Sequence, residues 1–198
     1  MKTHRVVLLI CLAIILFTGY AASASFKPIK DQSTRRQYQG YSILPPQGPN
    51  WFLMQEGQGG VAFTKKTGSA THTFTVAVLI ARIPPSWKTQ NEFLDYVKNG
   101  KRAGTDPRRF KIIEEDYSLD NKFGQYSVKY HIKVEDHGAV KTDGAPFLIL
   151  DVSGYCCMHP KLRNSYYDIQ YSERSKPGES DLSLKIIGEE FVNNFRFK

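Results

Sequence analysis

The apolar positions of this chain change period several times, and each change marks an element. Along residues 71–82 they alternate, with Phe74, Val76, Val78 and Ile80 on one side and Thr73, Thr75, Ala77 and Leu79 on the other. A period of two is a strand, and both sides turn apolar toward its end, so it is expected in the middle of a covered sheet. Residues 124–135 alternate more cleanly. There Tyr126, Val128, Tyr130, Ile132 and Val134 interleave with Gln125, Ser127, Lys129, His131, Lys133 and Glu135, which predicts one core face and one wet face. Two stretches follow helical spacing instead. In residues 89–102, Phe93, Leu94 and Val97 form a stripe behind the capping-box run Thr89-Gln90-Asn91-Glu92, and Lys98, Lys101 and Arg102 flank it. In residues 182–195 the stripe is Leu182, Ile186, Ile187, Phe191 and Val192, with Ser180-Asp181 as candidate caps.

Shorter strands are predicted at 41–44, 51–55, 61–65, 110–117, 146–156 and 166–172, the second and third joined through a Gly57 to Gly60 turn. Pro45-Pro46-Gln47-Gly48-Pro49 reads as a rigid turn, because proline fixes its own backbone and extends the residue before it. Residues 26–40 are polar, carry neither period and read as a loose N-terminal arm. Neighbouring strands joined by short turns imply a mainly antiparallel sheet, and two separated amphipathic helices imply an α+β domain with helices packed on it, a layered α/β/α sandwich. Tyr41-Ser42-Ile43-Leu44-Pro45 followed by Trp51, the middle helix, the long hairpins and the closing residues 191–195 resemble the Mog1/PsbP-like fold, whose members include small exported bacterial proteins of uncertain role. The resemblance implies an interaction or accessory protein. It transfers no functional residue.

Composition adds a compartment. Lys2 and Arg5 precede an apolar run of 12 residues, 6–17, and Ala22-Ser23-Ala24 ends the segment as a cleavage site, so residues 1–24 read as a signal peptide. The run is short of the roughly 20 apolar residues of a spanning helix. Leu8-Leu9-Ile10 lacks the small residue that lipid attachment at Cys11 requires, so no lipid anchor is expected. The expected organisation is signal 1–24, flexible arm 25–39 and a single domain 40–198, with a periplasmic or secreted location. The net charge of +8 loses Lys2 and Arg5 on processing and becomes +6. Its cations are scattered, as on a solvated surface. In an exported protein they fit contact with an anionic envelope surface or an envelope protein. No nucleic-acid recognition motif is present, and no later run reaches membrane-spanning length.

Residues 155–174 concentrate the reactive side chains. Cys156 and Cys157 are adjacent, so on a strand they point to opposite faces. The functional options are then a vicinal disulfide, a bridge to another chain, or a Cys157-x-His159 pair on one face able to hold a soft metal, and the plain alternative is one cysteine buried against the core and the other packed at a strand end as small hydrophobes. Two thiolates and one imidazole fall short of a closed zinc site. A Cys157 nucleophile with His159 as base lacks an oxyanion loop, and a Ser172, His159 and Asp168 triple is of a kind any chain this size offers. Tyr166 and Tyr171 suit a pocket wall or contact face, and Glu173 with Arg174 suits a strand-end ion pair. The reading is a ligand or partner surface at Cys156, Cys157, His159, Tyr166, Tyr171 and Arg174, with no catalytic residue, metal or cofactor assigned. It makes the chain an exported, non-enzymatic accessory or binding protein of the cell envelope. The alternative is an envelope thiol/redox or metal-binding protein using Cys156, Cys157 and His159. A lipid or glycan carrier would instead show an apolar cavity between sheet and helix.

Overall fold

A computed structural model of the protein describes residues 26–139 and 143–198, so the predicted signal lies outside the described residues. In chain order the elements are β1 (Lys27–Pro28), β2 (Arg36–Gln37), β3 (Tyr41–Ile43), β4 (Trp51–Gly57), β5 (Gly60–Lys66), β6 (Thr73–Arg82), α1 (Gln90–Ala103), β7 (Phe110–Leu119), β8 (Ser127–Asp136), β9 (Leu148–Met158), β10 (Ser165–Ser175), α2 (Leu182–Asn193) and β11 (Arg196–Phe197). Eight strands form an antiparallel sheet in the order β1-β4-β5-β6-β10-β9-β8-β7, and β11-β3-β2 form a small second sheet.

The strand with two apolar sides, β6, sits inside the sheet between β5 and β10. Its even positions Phe74, Val76 and Val78 join Val61, Phe63, Tyr155, Cys157, Tyr167 and Ile169 under α2, which contributes Leu184, Phe191 and Val192. The opposite face gathers Val128, Tyr130, Ile132, Val134, Leu150, Val152, Cys156 and Tyr166 under α1, through Phe93 and Val97. One helix therefore lies on each face, and the sheet divides the core in two. This is an α+β sandwich of three layers. The helices do not sit back to back: α1 packs on β7 and β8, and α2 on β10 and β6. Each face thus has a covered half and an open half.

Both helices start where the caps predict. Thr89 Oγ1 accepts from the Glu92 amide at 3.2 Å, and Asp181 Oδ1 accepts from the Ser183 amide at 2.8 Å, satisfying amides that the first turn leaves unpaired. The segment expected as an arm without elements carries β1, paired to β4, and β2, paired to β3. The strand 166–172, expected as the last, is followed by β11, which pairs with β3 after α2. These three strands are two residues long and held by backbone bonds, which need no hydrophobic period. Among the described residues no helix is long and apolar enough to cross a membrane.

Candidate functional site

The reactive segment is the β9–β10 hairpin, at the centre of the large sheet. Tyr166 pairs with Met158, Tyr167 with Cys157 and Asp168 with Cys156. Strand alternation sends Cys156 to the α1 side and Cys157 to the α2 side, as the adjacency predicts, and both thiols are free and fully buried. Burial, and next the Asp168 carboxylate, push the Cys156 thiol far above its ordinary range. Burial does the same for Cys157. A thiol held protonated in an apolar core is a poor nucleophile and a poor metal ligand. Among the described residues no group of three or more His, Cys, Asp or Glu side chains could hold a metal ion.

His159 does not face either sulfur with a usable nitrogen. Its Nε2–H donates to the Gly40 carbonyl at 2.9 Å, and its Nδ1 accepts from the amides of Lys161 and Leu162 at 3.0 and 2.9 Å. Desolvation pushes its pKa down, in keeping with a neutral ring spoken for on both sides. The imidazole thereby staples the turn after β9 to the chain entering β3. Gly40 has φ +84°, and a Cβ there would stand 2.7 Å from Tyr167 Oη, so the joint requires glycine.

Tyr166 is buried on the α1 side with its ring edge to Phe93, the centroids 6.4 Å apart. Tyr171 lies half-buried beneath α2 and packs against Gly188, where an added Cβ would meet its ring at 2.3 Å. Glu173 and Arg174 do not pair with each other, because neighbours on a strand face opposite ways. Glu173 Oε1 accepts from the Asp181 amide at 2.8 Å and lies 2.7 Å from His72 Nε2. Arg174 reaches Asp136 at 3.2 Å.

Asp136 is fully buried and already taken by Arg109, which donates from Nε and Nη2 at 2.7 and 3.0 Å. One carboxylate therefore serves two guanidiniums. Burial, partly offset by Asp136 and reinforced by Arg109, pushes the Arg174 pKa down. Its Nε is buried and finds no protein acceptor. Arg174 lines a groove of about 530 Å³ on the open half of the α1 face, with Leu150, Val152, Gln170 and Ser172 also on its walls. A second groove, of about 680 Å³, lies at the other end of the hairpin and is lined by Trp87, Tyr126, Met158, His159 and Arg163. The hairpin singled out by sequence thus borders both hollows, through its ends rather than its cysteines.

Two residues carry more than their sequence suggests. Lys101, which reads as a solvated cation at a helix end, is buried, with Nζ 2.7 Å from Asp168 Oδ2 and 3.8 Å above the Tyr130 ring. Tyr130 Oη lies 2.7 Å from Asp168 Oδ1 and 2.9 Å from Gln170 Oε1. The available signal was positional, since Lys101 falls four residues after Val97 on the helix's apolar stripe. Lys66, part of a scattered basic pair in sequence, stands on the rim of the first groove over the Phe52 ring at 4.6 Å.

No protein-family profile matches the chain, and no curated protein matches it significantly. Among solved structures it is similar to the Ran-binding protein Mog1p of Saccharomyces cerevisiae, with a TM-score of 0.42 and 13% identity over 82% of this chain and 95% of that one. It is also similar to a variant of protein Mog1, with a TM-score of 0.43 and 12% identity over 82% and 94% of the two chains. At these values the likeness lies in the outline of the chain, and no residue role is carried over from it.

Proposed function

We propose that this chain is an exported, non-enzymatic binding or accessory protein of the cell envelope, acting through the surface that the β9–β10 hairpin borders. The observation that carries the reading is the engagement of His159. Both its nitrogens are spent on backbone groups of the fold, so it offers neither a base to a thiol nor a ligand to a metal. The thiols it would serve lie buried, one in each core. The hollows border residues other than the cysteines, which suits recognition better than bond-making. The basic charge and the signal-like first 24 residues support contact with an envelope protein or an anionic envelope surface.

The test is expression of the full chain in a bacterium, followed by fractionation, N-terminal sequencing and alkylation with a maleimide before and after unfolding. The expected product is a chain beginning at Ser25 in the periplasm or medium, with both thiols alkylated only after unfolding. An uncleaved chain retained in the cytosol would overturn export. A Cys157 alkylated in the native protein would favour the thiol alternative.

A further inference from the structure

The first groove has a lining of one charge sign. Lys65, Lys66, His72 and Arg174 border it, and no Asp or Glu does among its described lining residues. The four basic residues are not equal. Lys65 Nζ donates to the Pro49 carbonyl at 2.9 Å, His72 is held by Glu173, and Lys66 is exposed at the rim. Arg174 is the cation set into the wall, its side chain 22% exposed and its Nε without a protein acceptor. Because Asp136 is shared with Arg109, one unit of positive charge at the groove is uncompensated. A guanidinium that is partly exposed to the groove and shares its one counter-ion gains most from an anion placed against its exposed edge.

The floor is apolar. Leu150 and Val152 are 4% and 5% exposed, and Met54 adds a third apolar wall. A volume of about 530 Å³ falls in the range of small-molecule sites. We infer that this groove binds a small amphiphilic anion, its acid group against Arg174 and its hydrocarbon body along Leu150, Val152 and Met54. A cation would be repelled, a neutral apolar molecule would leave the guanidinium unbalanced, and a small inorganic anion would leave the floor bare. The inference deepens the reading of the chain as a binding protein and rests on it.

Dodecanoate below its micelle concentration, dodecanol and inorganic phosphate are the probes, titrated calorimetrically into the processed chain. The expected result is saturable one-to-one binding of dodecanoate, with dodecanol and phosphate each weaker by about ten-fold or more, the worth of one charge-assisted hydrogen bond or better. Arg174→Gln should weaken dodecanoate by about the same factor. Ser172→Trp, which fills the groove from a half-buried position, should abolish binding, and it decides the matter alone if the arginine variant does not fold. Absence of saturable binding, dodecanol or phosphate binding as tightly as dodecanoate, or full binding by Ser172→Trp would each overturn the proposal. A chain that is processed and thiol-inert yet ignores dodecanoate loses this ligand class and keeps the broader reading, because export and thiol protection are measured separately.

Discussion

The two open halves of the sheet carry opposite designs. On the α2 side, over β7, β8 and the start of β9, Lys129, His131 and Lys133 alternate with or face Glu114, Asp116 and Asp151 across the strands. Signs balance there, as in His131 Nε2 to Asp151 Oδ1 at 2.9 Å, and the surface satisfies itself. On the α1 side, over β5, β6 and the end of β10, threonines and serine surround an apolar floor, and the charged residues on the wall are all basic. A self-neutralised face needs no partner. A concave face with one unbalanced cation is left asking for one.

The comparison breaks most sharply at Asp136. Asp136→Asn removes the carboxylate that holds both Arg109 and Arg174, and two largely buried guanidiniums then lack a counter-ion. The expected loss is about 3–5 kcal/mol, read as a lower midpoint in urea. Lys133→Ala, on the balanced half, removes a half-buried cation that only strand register sets opposite Glu114 and Asp151, and should cost less than about 1 kcal/mol. Equal effects would mean that the cations at the groove are not held by Asp136. The difference also bears on binding, since a guanidinium kept in place by a shared carboxylate is already oriented for an anion.

The balanced half was legible in sequence because strand alternation alone separates its wet face, and Lys129, His131 and Lys133 sit at period two within one strand. The same alternation separated Cys156 from Cys157. The groove was not legible, because its walls come from β5, β6, β9 and β10, and only the strand order brings Lys66, Thr75, Leu150 and Arg174 together. Local reasoning paired Arg174 with its neighbour Glu173, whereas its partner lies 38 positions earlier in sequence, at Asp136. The short strands β1, β2 and β11 escaped for the complementary reason, being stabilised by pairing rather than by any pattern of their own.

A second contrast concerns the covered halves. Under α2 the sheet and helix approach so closely that Gly188 lies on the ring of Tyr171. Alanine favours a helix over glycine by about 1 kcal/mol, but overpacking a fitted contact costs about 1–3 kcal/mol. Gly188→Ala is therefore expected to destabilise by about 1 kcal/mol net. In a Tyr171→Ala background, where the ring is gone, the same change should stabilise by up to about 1 kcal/mol. Thermal melts of the four proteins of this cycle check the sign reversal. No reversal would show that α2 rides farther from the sheet, and that this face has a cavity of its own.

The smallest effect sharpens the electrostatic side of the comparison, because two histidines respond to pH in opposite directions. On the balanced half, the hydrogen bond to Asp151 raises the pKa of His131, against a smaller cost of burial. Its contribution to stability is fully present below the ordinary value of about 6.5 and is lost as pH rises through the folded value. At the hairpin turn, desolvation lowers the pKa of His159, so its contribution is present above about 6.5 and is lost as pH falls through the folded value. Protonation would also put a hydrogen on Nδ1 against the two amides that donate to it. The denaturation midpoint of His159→Gln should thus fall less than that of the wild type between about pH 6.5 and 5, since glutamine cannot titrate. That of His131→Gln should fall less between about pH 6.5 and 8. A His159→Gln profile as steep on the acid side as the wild type would mean that His159 is not the neutral staple between the β9 turn and Gly40, and would reopen its imidazole to the chemistry that the fold otherwise denies it.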